Sequence, residues 1–225
     1  MKFDIRELTI KKIHKMMLQG EITCEELTKA YIDRIDRLDK TENNINSVIL
    51  VNPNAIEEAK KIDMRIKISG ITGALDGIPV LLKDNVDTKG MQTTAGSLSL
   101  EGYVPGEDSF ITKKILDAGA LILAKVNLHE FAIWGETISS ILGQTHNPYD
   151  LTRTPGGSSG GTGAAVASNF GMIGIGTDTI NSVRSPSSSN NLAGIRPTIG
   201  LVSRTGIIPY SYTQDTAGPI CRTVE

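Results

Sequence analysis

The chain has 225 residues, 39% of them hydrophobic, and a formal net charge of −2. That suits one large soluble domain or two small ones, and the mixed charges form no basic patch or acidic tail that argues for nucleic acid or a membrane surface. Aromatics stand at only 4% against 23 glycines, which favours an α/β protein with many tight turns over an aromatic-rich binding module.

The opening MKFDIRELTIKK has no long apolar run, so neither a signal peptide nor a membrane span is expected. The first forty or so residues read as two helices. In the second, Thr23 and Glu26 have the spacing of a capping box, and Leu27, Tyr31, Ile35 and Leu38 fall on one face. SVILV (47–51) is a β-branched strand, and Pro53 and Asn54 open a helix over 53–67. Residues 68–79 are a turn-rich connection between a helical N-terminal region, 1–68, and a core segment, 69–225. Beyond it, short apolar strands alternate with helices: VLLK (80–83), a helix near 109–118, LILAK (121–125), a small-residue helix at 162–169, and MIGIGT (172–177). This alternation predicts an α/β fold with a mixed central β-sheet flanked by helices. GPICRTVE reads as the start of a helix capped by Thr223, so the chain is expected to be truncated.

The loop PGGSSGGTG (155–163) admits three uses: a phosphate cradle, a platform for a nucleophilic hydroxyl, or a tight turn. A P-loop needs a lysine that this loop lacks, and it is not a GxGxxG fingerprint. It matches GxSxG around Ser159, but a nucleophile elbow needs a later histidine, and His14, His129 and His146 all come earlier. Lysine is the main remaining base, provided burial makes its amine neutral, at about 1.4 kcal/mol per pH unit of depression. Lys83 closes the apolar run in GIPVLLKDNVD (77–87), where the competing reading is an edge lysine paired with Asp84 or Asp87. GTDTINSVRSP (176–186) puts Ser182 at a strand-to-helix turn, among the free N–H groups an oxyanion hole needs; there the competing reading is an N-cap serine. His129 and His146 read as structural hydrogen-bonding residues, Trp134 as a packing residue and Cys24 as inert core. Cys24 and Cys221 lack metal-ligand spacing and fit a reducing, cytoplasmic setting.

The segments GIPVLLKDN, PGGSSGGTGAAVA, GTDTINSVRSP, AGIRPTIGLVSRTGIIP and QDTAGPICRTV, in that order, resemble the amidase signature family of serine amidohydrolases. The likeness runs from about residue 5 to the C-terminus and covers about half of the family's domain. It implies a Ser-Ser-Lys triad: Lys83 as general base, Ser158 as a bridging serine preceded by a cis peptide bond, and Ser182 as nucleophile. The implied reaction is hydrolysis of a carboxylic amide to acid plus ammonia or amine through an acyl-enzyme, with no cofactor and no metal. The N–H groups of Thr179, Ile180, Asn181 and Ser182 would form the oxyanion hole. Asp178 and Arg184 would brace that loop, with Ser159 as a supporting hydrogen-bonding residue. The commoner family pattern is DTGGS, whereas this chain has DTINS, so Ile180 and Asn181 stand at two glycine positions. Backbone donors survive that change, and its weight falls on substrate class more than on the reaction. The implied partner is a small-molecule or peptide amide, with no direct nucleic-acid or membrane contact, and homo-oligomerisation is left open. Within the family the motifs look closer to a free-standing amidase than to the glutamyl-tRNA amidotransferase component that releases ammonia from glutamine. A non-catalytic truncated remnant is the reading from another class.

Overall fold

The computed structural model describes residues 3–41 and 44–225. Helices α1 (Ile10–Leu18) and α2 (Cys24–Leu38) both start on threonine caps, Thr9 accepting from the Lys12 N–H and Thr23 from the Glu26 N–H. The Glu26 carboxylate accepts in return from the Thr23 N–H at 2.9 Å, which completes the capping box. Leu27, Tyr31 and Ile35 are buried on the inner face of α2, with Leu38 half-buried beside them.

Strand β1 (Val48–Val51) leads into α3 (Ala55–Ser69). Asn54 occupies the N-cap position without a side-chain cap bond; instead Asn52 Oδ1 accepts its N–H at 2.9 Å, so the turn is pinned one step earlier than the Pro53-Asn54 pair suggests. There follow β2 (Pro79–Lys83), α4 (Phe110–Asp117), β3 (Leu121–Val126) and the small hairpin of β4 (Ile138–Ser139) and β5 (Gly143–Gln144). The chain continues through α5 (Gly160–Ala167), β6 (Ile173–Asp178), α6 (Arg184–Ser189), β7 (Ala193–Gly194) and β8 (Thr216–Cys221).

The six-stranded sheet has the order β1-β3-β2-β6-β8-β7. Its centre, β3-β2-β6, is parallel, while β1, β8 and β7 run antiparallel to their neighbours. The mixed sheet flanked by helices is the architecture expected from the alternating strands. The end of the chain differs from expectation, because Thr216–Cys221 form β8, paired with β6 along its whole length. Gly218 makes this possible: it sits opposite Gly176, and a Cβ there would collide with the Ile195 carbonyl. Local sequence could suggest a helix start, but the long-range ladder decides the conformation.

Alternation along β2 divides the core. Val80 and Leu82 join Ile122, Ile175 and Ile115 on one face. Leu81 joins Phe170, Met172, Leu123 and the inner residues of α1 and α2 on the other. Lys83 shares the parity of Leu81, on the face covered by α5. Every residue of α5 from Gly160 to Val166 is buried, and a Cβ at Gly161 would overlap the backbone of Asn127. The small residues of this helix therefore let it lie directly against the sheet. No helix among the described residues is long and apolar enough to cross a membrane.

Candidate active site

Lys83 ends β2 at its C-terminal edge and is completely buried. Its Nζ lies 2.7 Å from Ser158 Oγ and 2.8 Å from Thr177 Oγ1. The competing partners belong elsewhere. Asp84 forms a fully buried ion pair with Lys125 at 3.0 Å, and Oδ1 of Asp87 has no partner among the described residues. Loss of hydration drives the Lys83 pKa down to about 7, with the carboxylates of Asp178 and Asp215 pulling the other way. Near neutrality a large share of such an amine is uncharged, with its nitrogen at hydrogen-bond distance from a serine hydroxyl.

The loop 155–163 places its serines by backbone shape. The Gly157–Ser158 peptide is cis, and a Cβ on Gly157 would run into the backbone of Glu136. The Ser158 carbonyl accepts from the His129 N–H at 3.0 Å. Ser159 faces Thr177: its Oγ donates to the Thr177 carbonyl at 3.1 Å and accepts the Thr177 N–H at 3.3 Å. The Ser159 N–H donates to the Ser182 carbonyl at 3.2 Å, which ties the glycine loop to the turn after β6.

Ser182 is buried on that turn and is not the helix cap. Val183 holds the N-cap position, and the N–H groups of Val183 and Arg184 go to Asp178 Oδ2 at 2.9 and 3.3 Å. Among the described residues the backbone N–H groups of Thr179, Ile180, Asn181 and Ser182 have no backbone acceptor. They are available to an anion at the turn. Asp178 is held by Arg196 at 3.1 Å and Arg184 at 3.3 Å. Burial works against its charge, but Arg184 and the N–H groups of Val183 and Arg184 outweigh it and keep the carboxyl below its usual range. Arg184 also donates to the Ile180 carbonyl.

The structure thus brings Lys83 and Ser158 into contact, with Ser182 on the adjoining turn and Ser159 linking the two. It adds residues that motif reading left without a role. Thr177 shares Lys83 Nζ, Asp215 accepts from the Thr179 hydroxyl, and Arg196 grips Asp178. Arg196 and Asp215 lie in AGIRP and QDTAGP, but a charged side chain in a loop does not reveal which distant group it meets. Trp134 does not pack inside as expected. It is 67% exposed and, with Ile133, Ile180, Asn181 and Tyr210, lines a groove of about 530 Å3 that Ser182 also lines. His14 and His146 bind the backbone carbonyls of Asp76 and Leu151, each at 2.9 Å. The His129 ring is pushed below its usual pKa, chiefly by burial. No group of three or more His, Cys, Asp and Glu side chains among the described residues converges as a metal site would.

A buried lysine of depressed pKa in contact with one serine hydroxyl, with a second serine on the adjoining turn, is the set of groups that a serine hydrolase without a histidine base would need. The chain belongs to the Amidase family, whose model matches residues 26–225. It is 44% identical over 218 residues to the GatA component of the glutamyl-tRNA(Gln) amidotransferase of Gloeothece citriformis, covering 96% of this chain and 44% of that protein. Among solved structures it is similar to the native peptide amidase of Stenotrophomonas maltophilia, with TM-score 0.93, 42% identity, and 97% of this chain on 46% of that one. It is also similar to the corresponding amidotransferase component of Thermotoga maritima, with TM-score 0.83, 37% identity, and 99% of this chain on 45% of that one. The chain spans about half the length of the curated relatives it matches.

Proposed function

We propose that the protein is an amidase that hydrolyses a carboxylic amide to acid and ammonia or amine, with Ser182 as nucleophile and residues 69–225 as the catalytic segment. Neutral Lys83 takes the proton of Ser158, and Ser158 takes that of Ser182 as its Oγ attacks the amide carbonyl. The N–H groups of residues 179–182 hold the negative oxygen of the tetrahedral intermediate. The C–N bond then breaks, and the relay returns its proton to the leaving nitrogen. Water attacks the resulting ester, loses a proton to the same relay, and frees the acid and Ser182. Asp178 and Arg184 brace the 178–184 turn, and Ser159 joins it to the Ser158 loop. No cofactor enters the scheme, and the unpaired thiols of Cys24 and Cys221 suit a cytoplasmic setting.

The observation that carries this reading is the 2.7 Å contact between Lys83 Nζ and Ser158 Oγ, made by a buried lysine whose neighbouring carboxylate, Asp84, is taken by Lys125. Membership of the Amidase family and similarity to a peptide amidase support it. A second reading, ammonia release from glutamine on behalf of a partner, is favoured by the names of the curated relatives. The test is labelling of the folded chain with a serine-reactive fluorophosphonate, followed by ammonia release from a panel of amides that includes glutamine. Wild type should label, and Ser182→Ala and Lys83→Ala should not. A folded wild-type chain that fails to label would refute the mechanism and leave a non-catalytic remnant.

A further inference from the structure

The groove lined by Ser182 has a wall of unusual composition. Trp134 and Ile180 are each 67% exposed, and Ile133 is 52% exposed. Two consecutive non-glycine residues in the left-handed region, Phe131 at φ 51° and Ala132 at φ 59°, immediately precede Ile133 and Trp134. Across the groove, the Arg184 guanidinium holds the Ile180 carbonyl, which ties that end of the 179–182 turn to α6. A side chain at position 180 therefore borders the path to Ser182.

The charges are as informative. Glu136 is the charged side chain among the described residues that line the groove, and no cation lines it. Arg184 and Arg196 are occupied by Asp178, and Arg204 donates to the Tyr212 carbonyl. An apolar or aromatic group would cover surface now left in water.

From this wall we infer that the amide served by this site carries an apolar, preferably aromatic, group on its acyl side, with Ile180 and Trp134 as the residues that select it. The inference rests on the amidase reading, but binding can be tested apart from catalysis. Trp134 is the chain's one tryptophan, so its emission reports on the groove directly. The Ser182→Ala chain would be titrated with phenylacetamide, with N-acetyl-phenylalaninamide and with glutamine. The first two arms separate a free small amide from a peptide C-terminal amide.

Saturable quenching or a blue shift with at least one aromatic amide, and none with glutamine at the same concentration, supports the assignment. Ile180→Ala should weaken that binding about tenfold, since it removes about three carbons covered on one side. This substitution keeps the backbone N–H, and the position is exposed, so the fold survives it. Glutamine binding as tightly as either aromatic amide, or no saturable change with both, would overturn the assignment. So would an Ile180→Ala chain that binds as well as its parent. Aromatic amides that bind in a chain whose wild type resists fluorophosphonate would sink the serine mechanism and leave the groove assignment standing.

Discussion

Replacing Lys83 with methionine should change how stability depends on pH. The Lys83 pKa falls from an ordinary 10.5 in the unfolded chain to about 7 in the folded one. Between these values the unfolded state binds more protons than the folded state, so wild-type stability rises with pH across that window. Each pH unit contributes about 1.4 kcal/mol, which amounts to about 4 kcal/mol between about pH 7 and about pH 10. Methionine fills a similar volume and carries no charge, so the variant lacks this slope. It also loses the bonds to Ser158 and Thr177, a cost of about 1–3 kcal/mol that does not vary with pH. Urea unfolding of both chains at the two pH values gives the comparison directly, since other titrating groups largely cancel. Wild type should gain about 4 kcal/mol relative to Lys83→Met from about pH 7 to about pH 10. A difference that stays constant across the range would mean that Lys83 titrates as an ordinary lysine, and the relay would lose its base.

Hydrolysis should follow the same group: kcat/KM rises about tenfold per pH unit below about 7 and levels off above it, because the neutral amine is the active form. A limb with the same midpoint in Lys83→Ala would assign it to another residue. Lys125→Met should cost about 3–5 kcal/mol, because it strands the buried Asp84 carboxylate, and adding Asp84→Asn should recover much of that loss. Equal urea midpoints for the single and double variants would show that the pair is not coupled. Gly161→Ala should lower stability by about 1–3 kcal/mol or more through collision with the Asn127 backbone. Gly106→Ala, where a Cβ meets nothing within 4 Å, should be nearly neutral when the two variants are compared with wild type by urea unfolding.

The two buried lysines show how far the sequence could be read. Lys83 and Lys125 each follow an apolar strand, and local pattern treats them alike. Burial pushes both amines down, but Lys125 meets the Asp84 carboxylate at 3.0 Å, while Lys83 meets the hydroxyls of Ser158 and Thr177. The difference lies in partners from other parts of the chain. Where structure was written locally, sequence was enough: the Thr23–Glu26 box, the β-branched run of β1 and the apolar runs of β2, β3 and β6 appear where their patterns put them. Where a long-range ladder decided, as in β8, the local helix signal misled. Trp134 was unreadable for the opposite reason. A tryptophan belongs inside by hydrophobicity, and only the turn at Phe131 and Ala132 turns it out to the groove. The ordered motifs single out Ser158, Ser159 and Ser182, but nothing in them points to the Thr177 hydroxyl that shares the lysine.

The same long-range wiring governs when the chemistry can first exist. The contacts that bury Lys83 join it to residues 75 and 94 positions further along the chain. Closing such loops costs entropy before the ladder between β2 and β6 returns anything, which places these contacts among the slow ones to form. While the chain has emerged only through β3, Lys83 is hydrated, protonated and unable to accept a proton. Ser158 and Thr177 then arrive together, because α5 and β6 dock as neighbours on the parallel strand. In the proposed scheme the base is switched on by the docking of that unit, and the nascent chain is chemically silent until β6 has joined β2.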